Sequence, residues 1–130
     1  MSVTLVAWRE KGYFWCTRCA CAIDYTEQSI WDNLARAYDA EVRLLPFGQE
    51  ALPEDVVEPI VVLDEKGELL LDDFVWPQGD VTIVTGRTAQ SLAHLPGTHV
   101  VVPVPDTGVF GMCMAAIALE DRRRKVADGS

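Results

Sequence analysis

Apolar residues in this chain gather in short blocks separated by polar or glycine-bearing turns. The blocks Val3–Trp8, Glu41–Leu45, Pro59–Asp64, Asp80–Thr85 and His99–Val104 have the length of strands. Several of them are apolar at consecutive positions, which suits strands covered on both faces, as in a parallel sheet. A different period runs between the first two blocks. Ile30, Leu34 and Ala37 fall at i, i+4 and i+7, with Trp31, Ala35 and Tyr38 beside them. That spacing predicts an amphipathic helix from about Glu27 to Tyr38. Asp24-Tyr25-Thr26-Glu27 ahead of it has the form of a capping box. Strand, helix and strand then make one βαβ unit, with a right-handed crossover expected.

The rest of the chain continues the alternation. Phe47 to Glu58 holds Gly48, Pro53 and several acids and reads as a loop. Lys66-Gly67 is a turn, and Leu69-Leu70-Leu71 with Phe74, Val75 and Trp76 is ambiguous between a short helix and a strand. Thr88 to Leu95 reads as a short helix closed by Pro96-Gly97, and a long closing helix runs to about Lys125. The expected architecture is a single α/β domain over residues 1–130, with a mostly parallel sheet of about five strands and flanking helices. In such sheets ligands sit outside the carboxyl ends of the strands. Here those ends are Thr85-Gly86-Arg87 and Val104-Pro105-Asp106-Thr107-Gly108.

Composition narrows the function classes. At 130 residues with 49% hydrophobic residues, the chain can build one core without staples. No apolar run reaches the roughly 18 residues needed to span a bilayer. Met1 to Arg9 has no basic segment leading into an apolar signal core, so a cytoplasmic protein is expected. A net charge of −9 is unlike a nonspecific nucleic-acid binder. The one basic run, Arg122-Arg123-Arg124-Lys125, reads first as a helix C-terminus complementing its dipole.

Few residues announce chemistry on their own. Phosphate-loop, dinucleotide, zinc-protease and nucleophile-elbow motifs are all missing. Cys16, Cys19 and Cys21 form C-x2-C-x-C, which suits either small buried thiols or part of a metal site. A zinc there would need a fourth ligand from Cys113, His94 or His99. Tyr13, Phe14 and Trp15 precede the cysteines and either stack on a base or cover the sheet. Gly86, Gly97, Gly108 and Gly111 would let a ligand approach the backbone, or serve as turns and caps.

The segments Ile83-Val84-Thr85-Gly86, Leu95-Pro96-Gly97-Thr98, Val100 to Val104, and Ala115-Ala116-Ile117-Ala118-Leu119-Glu120 with Arg122-Arg123 carry a resemblance. In this order they look like the C-terminal half of the SPOUT, or α/β-knot, methyltransferases, especially the branch that methylates RNA ribose 2′-hydroxyls. The likeness covers about a third of the chain well. It implies a C-terminal trefoil knot and S-adenosylmethionine held bent by the backbones of three loops. Those loops map onto Thr85, Gly86 and Arg87, onto Val102, Pro103, Val104 and Gly108, and onto Phe110, Gly111, Met112 and Ala115. It also implies a homodimer pairing first and last helices, with RNA as substrate. Asn33-Leu34-Ala35-Arg36 matches the branch's N-x-x-R spacing, which implies a catalytic pair Asn33 and Arg36, with the arginine on phosphate or hydroxyl.

Two departures stand against that pattern. The family's S-x-N-x-S ahead of the last helix is replaced here, with Val109 at the asparagine position and Gly111 at the serine position. The glycine after the first-helix asparagine is absent as well. Asp106 and Asp24 are candidate bases by location alone. Two classes of function therefore follow from the sequence: an S-adenosylmethionine-dependent RNA methyltransferase, or a noncatalytic α/β binding protein on a degenerate knot. A small metal protein using Cys16, Cys19 and Cys21 is a third.

Overall fold

A computed structural model describes residues 2–9, 24–46, 48–86, 91–103 and 111–127, with the side chains of residues 24–27 left aside. The expected cysteine cluster, the aromatics Tyr13 to Trp15, Arg87, and the loop from Val104 to Phe110 lie outside these residues.

The described chain forms β1 (Val3–Trp8), α1 (Asp24–Ala37), β2 (Ala40–Leu45), β3 (Ile60–Leu63), β4 (Leu69–Leu70), β5 (Val81–Thr85), β6 (Thr98–Val101) and α2 (Gly111–Ala127). All six strands join one sheet in the order β2-β1-β5-β3-β6-β4. Every pairing is parallel. The α/β expectation with a parallel sheet therefore holds, with six strands in place of about five. Consecutive apolar residues mark the middle of the sheet: β3 and β5 are buried at every position.

The added strand, β4, has only two residues and runs into a 3-10 turn at Leu71–Asp73. So short a strand carries too little pattern to be separated from a helix by its sequence. The expected helix over Thr88 to Leu95 is not borne out in its described part, where residues 91–92 are irregular and 93–97 are turns and bends. Gly97 closes this stretch at φ 123, and a Cβ on it would lie 2.5 Å from the Ile60 carbonyl oxygen. Glycine is thus required there on two counts, left-handed backbone and close approach to β3.

The α1 stripe also differs from expectation. Trp31 and Ala35 are buried, whereas Ile30 is 39% exposed and Ala37 is exposed. The apolar band is two rows wide, and the row with the larger ring takes the core. Helix α1 ends in a turn through Tyr38 and Asp39. Asp39 adopts φ 53 and donates its N–H to the Arg36 carbonyl, a left-handed stop that aspartate tolerates.

Side chains on the two faces of the sheet meet different partners. On one face Val3, Leu5, Ala7, Val61, Leu63, Val81, Ile83 and Val100 pack with Trp31 and Ala35 of α1 and Ala115, Ala118 and Leu119 of α2. Trp76 completes that cluster, with its indole N–H on Asp121 Oδ2 at 2.9 Å. On the other face Val6, Trp8, Leu45, Ile60, Val62 and Val84 are covered by Leu92 and Leu95, with Leu52 and Val56 packed against them. Both described helices lie on the first face, and the second is roofed by irregular chain.

Candidate functional site

Register fixes the level of each residue along the sheet. Val3 stands opposite both Ala40 and Val81, which marks the amino edge. Thr85 lies four residues further along β5, about 13 Å away at the usual rise per residue. Thr85 is the last residue of β5, opposite Leu63 at the end of β3. This is the carboxyl edge, where ligands of parallel sheets bind.

Two of the expected loops meet there. Thr85 is fully buried, and its hydroxyl donates to the Gly111 carbonyl across 3.2 Å. Gly111 opens α2 and presses on the residue after Thr85. A Cβ on Gly111 would overlap the Gly86 carbonyl oxygen and lie 2.9 Å from Thr85 Oγ1. Glycine at 111 is therefore a packing requirement: helix α2 starts against the backbone that leaves β5. Around this contact Gly86, Val102 and Ala115 are buried, Met112 is half-buried and Pro103 is exposed. Thr85, Gly86, Gly111, Met112 and Ala115 are thus brought together by the β5–α2 contact. Val102 and Pro103 follow β6, which is separated from β5 by β3.

Asn33 and Arg36 are placed elsewhere. Helix α1 is the crossover between two parallel strands, so it descends from the carboxyl edge to the amino edge. Asp24, its first residue, stands at the top, while Arg36 lies in its last turn, just ahead of β2. Both residues are exposed, and Arg36 Nη1 donates to Asn33 Oδ1 at 3.4 Å. Within one chain they stand about the height of the sheet away from Thr85 and Gly86.

Of the basic run at the end of α2, Arg123, Arg124 and Lys125 are spent on local partners, whereas Arg122 Nε is buried without a hydrogen-bond partner among the described residues. Arg123 and Arg124 both pair with Glu120. Hydrogen bonding from Arg123 holds the Glu120 carboxyl down to about 2 against the opposing effect of burial, with bonds from Tyr38 and Arg124 adding to the hold. The Tyr38 hydroxyl donates to Glu120 across 3.1 Å, tying the end of α1 to the middle of α2. Burial, then that bond, pushes the phenol of Tyr38 upward. The Lys125 ammonium is enclosed by four oxygens, from Leu71 at 2.6 Å, Phe74 at 2.8 Å, Asp72 at 3.3 Å and Asp121 at 2.9 Å. It caps the carbonyls of the 3-10 turn and does not face solvent as a free cation.

One arrangement escaped the sequence. His99 sits on β6 with Nδ1 at 2.8 Å from Asp64 Oδ2 and Nε2 at 2.8 Å from the Leu95 carbonyl oxygen. Burial works against its charged form, but the bonds to Asp64 and Leu95 outweigh this and raise its pKa above the usual value. With both nitrogens committed, the ring is free neither as a metal ligand nor as a base. Its partner Asp64 lies 35 residues away in sequence, so no local motif could have shown the pair.

Among the described residues no group of three or more His, Cys, Asp or Glu could hold a metal ion. Among them, too, no helix is long and apolar enough to cross a membrane. No family model, curated protein or solved structure matches this chain.

Proposed function

We propose that this chain binds S-adenosylmethionine at the carboxyl edge of its sheet and methylates RNA, as a divergent α/β-knot enzyme acting as a homodimer in the cytoplasm. The observation that carries the reading is the seat of Gly111 on Thr85 and Gly86, which joins the loop after β5 to the start of the last helix. The residues there fit such a ligand in kind. They offer backbone groups, apolar Val102 and Met112, and the first-turn N–H groups of α2, which have no acceptor within the helix and suit a carboxylate. The group would supply a methyl on a sulfonium, and the protein would have to position the acceptor and remove its proton. In this reading Arg36 serves the pocket of a second copy, since its own pocket lies at the far edge of the sheet.

A second reading, a noncatalytic α/β binding protein, is favoured by one observation. Asn33 and Arg36 bond to each other at the amino edge, and Arg123, Arg124 and Lys125 are taken up by local acceptors. Calorimetric titration with S-adenosylmethionine separates the two. Saturable binding of one ligand per subunit, lost in Gly111→Ala, is the expected result. Absence of binding by the folded protein would sink the methyltransferase reading and leave the second.

A further inference from the structure

We infer that His99 is a protonation-dependent clasp that fastens residues 91–97 to the turn after β3. The geometry requires it. Both ring nitrogens face an oxygen at 2.8 Å, one on the Asp64 carboxylate and one on the Leu95 carbonyl. Neither oxygen can donate: the backbone carbonyl has no proton, and the carboxylate is acceptor-only when ionised. Only the imidazolium, with two N–H groups, satisfies both. A neutral ring must turn one lone pair toward an oxygen and lose that bond.

The two acceptors belong to different segments. Asp64 follows β3, where its N–H donates to the Val100 carbonyl and its other carboxylate oxygen accepts the Lys66 N–H at 3.0 Å. Leu95 belongs to the irregular stretch that roofs the second face, with its side chain in the cluster around Val62 and Val84. The protonated ring therefore bridges sheet and roof, whereas the neutral ring keeps its one N–H on the charged Asp64 carboxylate and releases the Leu95 carbonyl. The charge acting on it is that of Asp64. Lys66 meets this carboxylate through its backbone alone, and its side chain is exposed, as are Glu65 and Glu68. His94, the other histidine of the roof, bonds the Glu50 carbonyl through Nε2. A neutral ring can make that bond too, so His94 needs no charge.

The sign follows from the raised pKa. The bond at Leu95 is complete below the ordinary histidine value of about 6.5 and is lost as pH rises through the folded value. Residues 91–97 lead into the amino end of β6, with Gly97 packed on Ile60 at the start of β3, so the clasp tunes the mobility of the chain that covers the second face whether or not S-adenosylmethionine binds at the carboxyl edge.

Two measurements on the intact protein test this. Proton and nitrogen NMR of the His99 ring from about pH 5.5 to about pH 9 should show both nitrogens still protonated above the ordinary value of about 6.5. Hydrogen exchange of amides in 91–97, corrected for intrinsic rates, should lose protection about tenfold across that titration, the effect of one charge-assisted hydrogen bond. In His99→Gln the pH dependence of that protection should vanish, and in Asp64→Asn the ring should titrate lower. A wild-type ring that titrates at or below about 6.5 overturns the inference even if the variants fail to fold. Protection in His99→Gln that keeps the wild-type pH dependence overturns it as well.

Discussion

The two faces of the sheet are closed by different physics. On the first, two helices lay small and large apolar side chains against the strands, and helices satisfy their own backbone groups internally. On the second, the roof is irregular chain, whose carbonyls need donors from elsewhere. The sheet side supplies them. Trp8 Nε1 donates to the Gln49 carbonyl at 2.6 Å and Thr82 Oγ1 to the Val57 carbonyl at 2.7 Å. His99 on β6 does the same for Leu95, and within the roof His94 bonds the Glu50 carbonyl. Polar atoms such as the buried Thr82 hydroxyl thus act as fasteners for a cover that has no ladder of its own. A face packed by helices resists through area, and a face roofed by loops resists through a few named hydrogen bonds.

That contrast is open to attack from either side. The largest effect should come from Trp76→Ala on the helical face, which removes a buried ring and the bond to Asp121. A loss of about 3–5 kcal/mol in urea unfolding is expected, felt by the whole domain at once. A loss under about 1 kcal/mol would mean that this face is less tightly packed than its burial indicates. Trp8→Phe on the loop-roofed face should be milder in global unfolding, about 1–2 kcal/mol for the smaller ring and the orphaned Gln49 carbonyl. Its signature should be local: amides of 48–57 should exchange faster while those of β1 and β5 keep the global rate. Uniform acceleration would show that the roof opens only with the entire fold. The smallest effect is reserved for Glu120→Gln. This carboxyl is held down to about 2, so its contribution is present above the ordinary value and fades as pH falls from about 4.5 toward 2. The variant should match wild type in strong acid and differ slightly at neutral pH; an equal difference at both would discount the Arg123 and Tyr38 bonds.

Much of this plan was legible in the sequence, and the gaps have physical reasons. Pro59 to Asp64 and Asp80 to Thr85 read as strands of a parallel sheet, and the observed β3 and β5 within them are buried throughout, because doubly covered strands need no polar alternation. About Glu27 to Tyr38 read as a helix, but its two adjacent apolar rows left open whether Ile30 or Trp31 would face the core. The carboxyl-edge glycines were visible as turns, whereas the fit of Gly111 on Gly86 joins residues distant in the chain. Asn33 and Arg36 show the limit of spacing. Their separation places them one above the other on a helix, but only the crossover between β1 and β2 reveals which edge of the sheet they occupy. That signal was present in the three residues separating Arg36 from Ala40. His99 and Asp64 could not be paired by any local pattern, since strand order alone brings them together.

The strand order also has a consequence for how the chain is made. Strand β3 lies between β5 and β6, and both neighbours come later in the sequence. As a ribosome delivers residues in order, β1, α1 and β2 can assemble early, but Ile60 to Leu63 must wait with both edges bare until Val81 to Thr85 emerge. A nascent or shortened chain halted before Val81 therefore carries four apolar residues in a row with no strand to pair with, the kind of edge that recruits other chains. Pulse-labelled fragments ending between β4 and β5 should accordingly collect in aggregates, while those that include β5 should begin to escape them.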